Sequence, residues 1–137
     1  MYRVLVPVDD DPDRARGQAA FVADLPGGTD EVEAIVTHAL TPEQAEAPED
    51  LKSVDRVETV RLVRDTLDEH GVDYQLAEAR TPPADGILDL AAEFDVDQIV
   101  MGSRKRSPTG KVVFGSVAQQ VLLEGDVPVT VVGAHEA

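Results

Sequence analysis

The chain is expected to fold as an α/β domain, an open five-stranded parallel sheet with helices on both faces. Short apolar runs alternate along it with stretches of helical periodicity, in the order β-α-β-α-β-α-β-α-β. Alternation of that kind implies a parallel sheet whose strands are joined by right-handed crossovers. The apolar runs Val4–Val8, Ile99–Met101 and Val127–Val132 are continuous rather than alternating, as in strands covered on both sides. The 137 residues suit a single domain, 1–137, with a real core. Only five residues are aromatic, so that core must be built from Val, Leu, Ile and Ala.

Tyr2–Asp9 is read as the first strand, with Val4, Leu5, Val6 and Val8 buried. Asp11-Pro12 then has the pattern of an N-cap followed by N1, opening a helix to about Leu25 with Ala15, Ala19, Phe21 and Val22 inward. Pro26-Gly27-Gly28 is a turn before the second strand, Glu31–Leu40. Thr41–Lys52 is acidic and rich in Ala and Pro, with spacing for a short helix capped by Thr41 and Gln44. Ser53–His70 is amphipathic through Val54, Val57, Val60, Val63 and Leu67, and Gly71 stands at its C′ position. Val72–Ala79 alternates, which places it nearer a sheet edge. Thr81-Pro82 forms a second N-cap and N1 pair, for a helix to about Phe94 with Ile87, Leu88, Leu90 and Ala91 inward. The fourth strand ends at Gly102, and Ser103–Phe114 is a loop broken by Pro108 and Gly110. Ser116 and Gln119 have capping-box spacing for a last helix with an apolar face of Val117, Val121 and Leu122. It ends at Gly125, and Val127–Val132 is the final strand.

Charge singles out the segment after the fourth strand. The chain carries 27 acids against 12 bases, a formal charge of −15, yet Gly102–Leu123 contains no acid. It contains Arg104, Lys105, Arg106 and Lys111, a third of all the bases. Glycines at a strand end, a following helix N-terminus and local positive charge suit a phosphate. On charge alone, a basic surface loop that offsets neighbouring acids is equally good; the two glycine positions favour the anion site. Asp9 lies where the first strand ends, on the edge that lines the ligand crevice of open α/β sheets. Asp10 and Asp11 are read as surface or capping residues. His38 is weak evidence for a metal, with no second His or carboxylate spaced to join it. Arg80, at the end of the third strand, is read as solvated and outside the site. Gly110-Lys111 matches half of a P-loop, but Lys105 replaces its first glycine and Val112 its hydroxyl. No G-x-G-x-x-G follows a strand, so neither a P-loop NTPase nor a dinucleotide dehydrogenase is supported.

At these residues the chain resembles the universal stress protein family, whose signature is Gly, two residues, Gly, nine residues, then Gly-Ser or Gly-Thr. Gly102, Lys105 and Gly115-Ser116 occupy those positions, followed by Val117. The opening VLVPVDD and the closing VPVTVV extend the likeness over essentially the whole chain. The departure is Lys105 in place of the middle glycine, where its side chain would either supply a charged contact or fill the space. The resemblance implies a Rossmann-like, adenine nucleotide α-hydrolase-like sheet of order 3-2-1-4-5, with Asp9 and Gly102 facing one crevice. It implies that Val8, Asp9 and Ala39 meet the base and sugar. Gly102, Ser103, Arg104, Gly115, Ser116 and Val117 would meet phosphates and ribose, with Met101 and Lys105 in the same site. It also gives His38 a structural role.

Other features bound the function. With no Cys there is no disulfide or thiolate chemistry. The N-terminus lacks a signal-peptide pattern and no apolar run spans a membrane, so a cytoplasmic protein without a membrane partner is expected. The acidic surface repels nucleic acid. Three Lys against nine Arg, with acids scattered throughout, resemble a halophile protein, whose self-repulsion molar salt screens to about 3 Å. An ordinary acidic protein kept soluble by charge is the plainer alternative. The function expected is a stress-response switch or sensor that binds ATP or a related adenine nucleotide, with Mg²⁺ entering only with the phosphates. A non-nucleotide dimeric interaction module is the alternative, and a slow ATPase is less supported because no positioned general base is evident. Val127–Val132 is an apolar edge, and a homodimer through it is expected, as the family commonly forms.

Overall fold

A computed structural model describes residues 1–26, 31–38, 57–80, 82–102 and 115–133. The elements are β1 (Tyr2–Val8), α1 (Pro12–Ala23), β2 (Val32–His38), α2 (Glu58–Glu69), β3 (Asp73–Leu76), α3 (Pro83–Glu93), β4 (Gln98–Gly102), α4 (Ser116–Glu124) and β5 (Val129–Val132). All strand pairs are parallel and the order is β3-β2-β1-β4-β5, as expected. The proposed helix within Thr41–Lys52, residues Ser53–Arg56, and the glycines of the Pro26-Gly27-Gly28 turn lie outside the described residues.

The period of two along each strand divides the core into two layers. Val4, Val6, Val8, Ala34, Val36 and Val100 pack with α1 and α2 on one face. Leu5, Ile35, Ile99 and Met101 pack with α3 and α4 on the other. This is why the strand sequences read as unbroken apolar runs.

Helix ends follow local rules, with two departures. Asp11 caps α1 as expected, its Oδ1 accepting from the N–H groups of Asp13 (2.9 Å) and Arg14 (3.1 Å). α2 ends in a Schellman arrangement: Gly71 has φ 70°, and Val72 N–H donates to Leu67 O at 2.9 Å. α3 ends the same way, with Asp95 in the left-handed conformation (φ 50°) and Val96 N–H donating to Ala91 O at 3.1 Å. The first departure is at α3, whose N-cap is Pro82 with Pro83 at N1; Thr81 lies outside the described residues. The second is at α4, whose N-cap is Gly115, so Ser116 is the first helical residue and the Ser116/Gln119 capping box does not form. Leu122 is also exposed rather than inward; Ala118 and Val121 are the buried residues of α4.

β1 and β4 are hydrogen-bonded neighbours only around Val4↔Gln98 and Leu5↔Ile99. Beyond that, the buried amide of Gln18 bridges the strands, donating to Pro7 O (2.7 Å) and Val100 O (3.0 Å). Pro7 has no N–H for a ladder, and the side chain from α1 supplies donors in its place. This accounts for a proline in the central strand of the sheet, a place proline is otherwise disfavoured.

Candidate functional site at the carboxyl ends of β1 and β4

From β1 the chain winds through α1, on one face, toward β2 and β3. From β4 it winds through α4, on the other face, toward β5 on the opposite side of the sheet. Between β1 and β4 lies the topological switch point where open sheets hold ligands. Asp9 leaves β1 here with its carboxylate 41% exposed. Its Oδ1 accepts from Asp11 N–H (3.0 Å) and its Oδ2 from Arg14 Nε (2.8 Å). Its carbonyl accepts from Thr59 Oγ1 at the start of α2 (2.5 Å).

Arg14 joins the two strand ends. A Cβ added at Gly102 would lie 2.9 Å from Arg14 Cβ, 3.2 Å from its Cδ and 3.3 Å from its Cγ. The glycine that ends β4 therefore admits the arginine stem, a reason the sequence reading did not contain. Gly102 is the last residue of β4, as expected. Asp9 and Gly102 are thus brought to one place, as expected, with Arg14 between them.

Val8 is fully buried and Met101 nearly so, in opposite core layers. Of these two residues the crevice edge has the backbone. Gly115, Ser116 and Val117 form the start of α4, where among the described residues no side chain caps the helix. First-turn N–H groups without a side-chain cap, at the positive end of the helix dipole, suit an anion. The start of α1 differs, because Asp11 already occupies its N–H groups. Ala39, Ser103, Arg104 and Lys105 lie outside the described residues.

His38 has a partner that the sequence reading missed. Its Nε2 lies 3.0 Å from Asp10 Oδ1, so Asp10 is more than a surface or capping residue. The two are 28 residues apart and meet because β1 and β2 pair with Val8 opposite His38. Arg80 Nε donates to Asp89 Oδ2, a hydrogen bond that pushes the guanidinium pKa up. Among the described residues no cluster of three or more His, Cys, Asp or Glu could hold a metal ion, and no helix is long and apolar enough to cross a membrane.

A parallel sheet of order 3-2-1-4-5, with an acidic residue directly after β1 and a glycine ending β4, defines an α/β protein of the adenine nucleotide α-hydrolase-like class. The chain belongs to the universal stress protein family, whose model matches residues 1–133. It is 30% identical over 123 residues to stress response protein NhaX of Bacillus subtilis, covering 89% of this chain and 69% of that protein. A solved universal stress protein of Archaeoglobus fulgidus is 34% identical with a TM-score of 0.76, over 96% of this chain and 98% of that one. Another solved structure, the universal stress protein from Archaeoglobus fulgidus in complex with dAMP, is 25% identical with a TM-score of 0.68, again over 96% and 98%.

Proposed function

We propose that this chain binds an adenine nucleotide, ATP in the first instance, at the crevice between β1 and β4, and that binding serves as a switch in a stress response rather than as turnover. The observation that carries this reading is that Asp9 and Gly102 both meet Arg14 at the switch point, the first by a hydrogen bond and the second by close packing on its stem. The uncapped start of α4 and the dAMP complex of the related protein support it. Val8, Asp9 and Ala39 would serve base and sugar. Met101, Gly102, Ser103, Arg104, Lys105, Gly115, Ser116 and Val117 would serve ribose and phosphates. Mg²⁺ would arrive only with the phosphates.

Nucleotide titration in concentrated KCl tests this, since we read the acidic composition as suited to a salt-rich cytoplasm. Lys105→Ala is expected to weaken ATP by roughly tenfold or more, the worth of a desolvated charge-assisted contact, and Lys105→Glu to abolish binding. Three neighbouring bases, Arg104 to Arg106, repel one another unless an anion visits. Tighter binding by Lys105→Gly, with none by the parent, would instead show that the lysine closes the site. The chain would then be the non-nucleotide interaction module, the second reading that Lys105 motivates.

We further propose a homodimer through the edge strand β5 and the residues just before it, Val127–Val132. β5 ends the sheet with every side chain only partly covered, and Leu123 of the adjoining α4 is 85% exposed. Edges of this kind pair or are shielded. Light scattering in molar KCl at micromolar concentration is expected to give twice the monomer mass; the monomer mass would count against the dimer.

A further inference from the structure

Arg14 has no part in the glycine signature, yet it touches both ends of the crevice. We propose that Arg14 is a positioning residue for Asp9. It holds that carboxylate as a fixed acceptor, selective for an uncharged, hydrogen-bond-donating part of the ligand such as the hydroxyls of a sugar. The proposal rests on the nucleotide reading above and assigns the element of that site that discriminates.

The geometry is restrictive from two sides. Asp9 Oδ1 is held by a backbone N–H and Oδ2 by Arg14 Nε. An ionised carboxylate has about four lone-pair sites, so acceptor capacity remains while the group's rotation does not. Arg14 is itself fixed. Its backbone N–H is bound to the Asp11 cap, its stem lies on Gly102, its Nη1 is 3.6 Å from Asp11 Oδ2, and its side chain is only 21% exposed. Lysine would keep the charge but reproduce this only in part, because the contact runs through Nε of a planar fork.

Charge at this end argues for a donor over an anion. Arg14 stands between the carboxylates of Asp9 and Asp11, and Arg16 is paired with Asp13. Asp10 adds a further acid against His38. Asp9, Asp10, Asp11 and Asp13 therefore outnumber Arg14 and Arg16. From these described groups a phosphate would meet net repulsion, whereas a hydroxyl would meet an oriented carboxylate. The guanidinium thus acts through Asp9 instead of reaching for the ligand.

The test compares the parent, Arg14→Met and Arg14→Lys in molar KCl, with AMP and its 2′,3′-dideoxy counterpart as calorimetric probes. Methionine keeps an unbranched stem over Gly102 and removes the donor. The parent is expected to prefer AMP by about tenfold, the worth of one hydrogen bond to a charged group. Arg14→Met should lose most of that preference while its affinity for the dideoxy compound stays within about twofold, and Arg14→Lys should restore part of it. Equal weakening of both probes with the preference intact would overturn the proposal, because a structural role or a phosphate contact would act on both alike. A ligand-free measurement separates this from the nucleotide reading. The scalar couplings about χ1 of Asp9 should report one rotamer in the parent and averaging in Arg14→Met. Unchanged couplings overturn the positioning role even if nucleotide binds. Averaged couplings in a chain that binds no AMP leave Arg14 as the positioner and remove the nucleotide reading alone.

Discussion

Replacing Gln18 with leucine is expected to destabilise the fold by about 1–5 kcal/mol, since two buried carbonyls each lose a donor at about 1–3 kcal/mol. The carbonyls are those of Pro7 and Val100, which the side-chain amide spans at 2.7 and 3.0 Å. Leucine fills similar volume and adds apolar burial, which offsets about 1 kcal/mol of the loss. Gln18→Glu should be worse, since an ionised carboxylate would face two carbonyl oxygens in a buried place. Urea unfolding at constant KCl measures both. A leucine variant within about 0.5 kcal/mol of the parent, the spread of an ordinary surface change, would show that the bridge contributes nothing to stability.

Gly86→Ala has the second large expected effect, and here the sign decides. Gly86 lies inside α3, where alanine would ordinarily gain about 1 kcal/mol from helix propensity. A Cβ at this position would lie 2.0 Å from the carbonyl oxygen of Arg80, which is backbone and cannot swing aside. Overpacking of that kind costs typically 1–3 kcal/mol and occasionally more. We expect a net loss of about 2 kcal/mol, and for a chain of this size a drop in Tm of several degrees. An alanine variant that melts above the parent would show that the strand-to-helix connection relaxes at little cost.

Much of the architecture was legible because it rests on local rules. Val4–Val8 read as a doubly buried strand since the unbroken apolar run has one structural solution, and Asp11-Pro12 and Gly71 marked helix ends by their own chemistry. The start of α4 was misread for a local reason too. Ser116 and Gln119 have the spacing of a capping box, but Gly115 is the residue that keeps extended geometry (ψ 162°), so the helix begins one residue beyond it. Leu122 looked inward beside Val121, yet α4 buries Ala118 and Val121, and Leu122 turns outward. The site was legible at Asp9 and Gly102, which motif and strand ends both mark. Its supporting residues were not. Asp10 meets His38 through strand pairing, 28 residues away. Arg14 is one of two arginines on α1, and no sequence signal marks it as the one whose stem meets β4. Gln18 did leave a trace, since Ala15, Gln18, Ala19 and Val22 form one helical stripe and the amide is its sole polar member. A polar residue in an inward stripe needs partners, but which carbonyls supply them depends on where two strands diverge.

The anchoring of consecutive residues after β1 has a consequence for what this fold can carry. His38, where β2 ends, is held by Asp10, and Thr59, where α2 begins, is held to Asp9. The chain thus leaves the sheet and returns to it at neighbouring points, both secured by contacts that do not depend on what lies between. Closure entropy grows only slowly with length, by about 0.6 kcal/mol per doubling. The interval between His38 and Thr59 is therefore a place where the chain can lengthen, shorten or receive a foreign segment with little effect on the sheet. Asp9, which secures the second of these points, also belongs to the candidate site, so a change at this junction is linked to the site through Thr59 and β1.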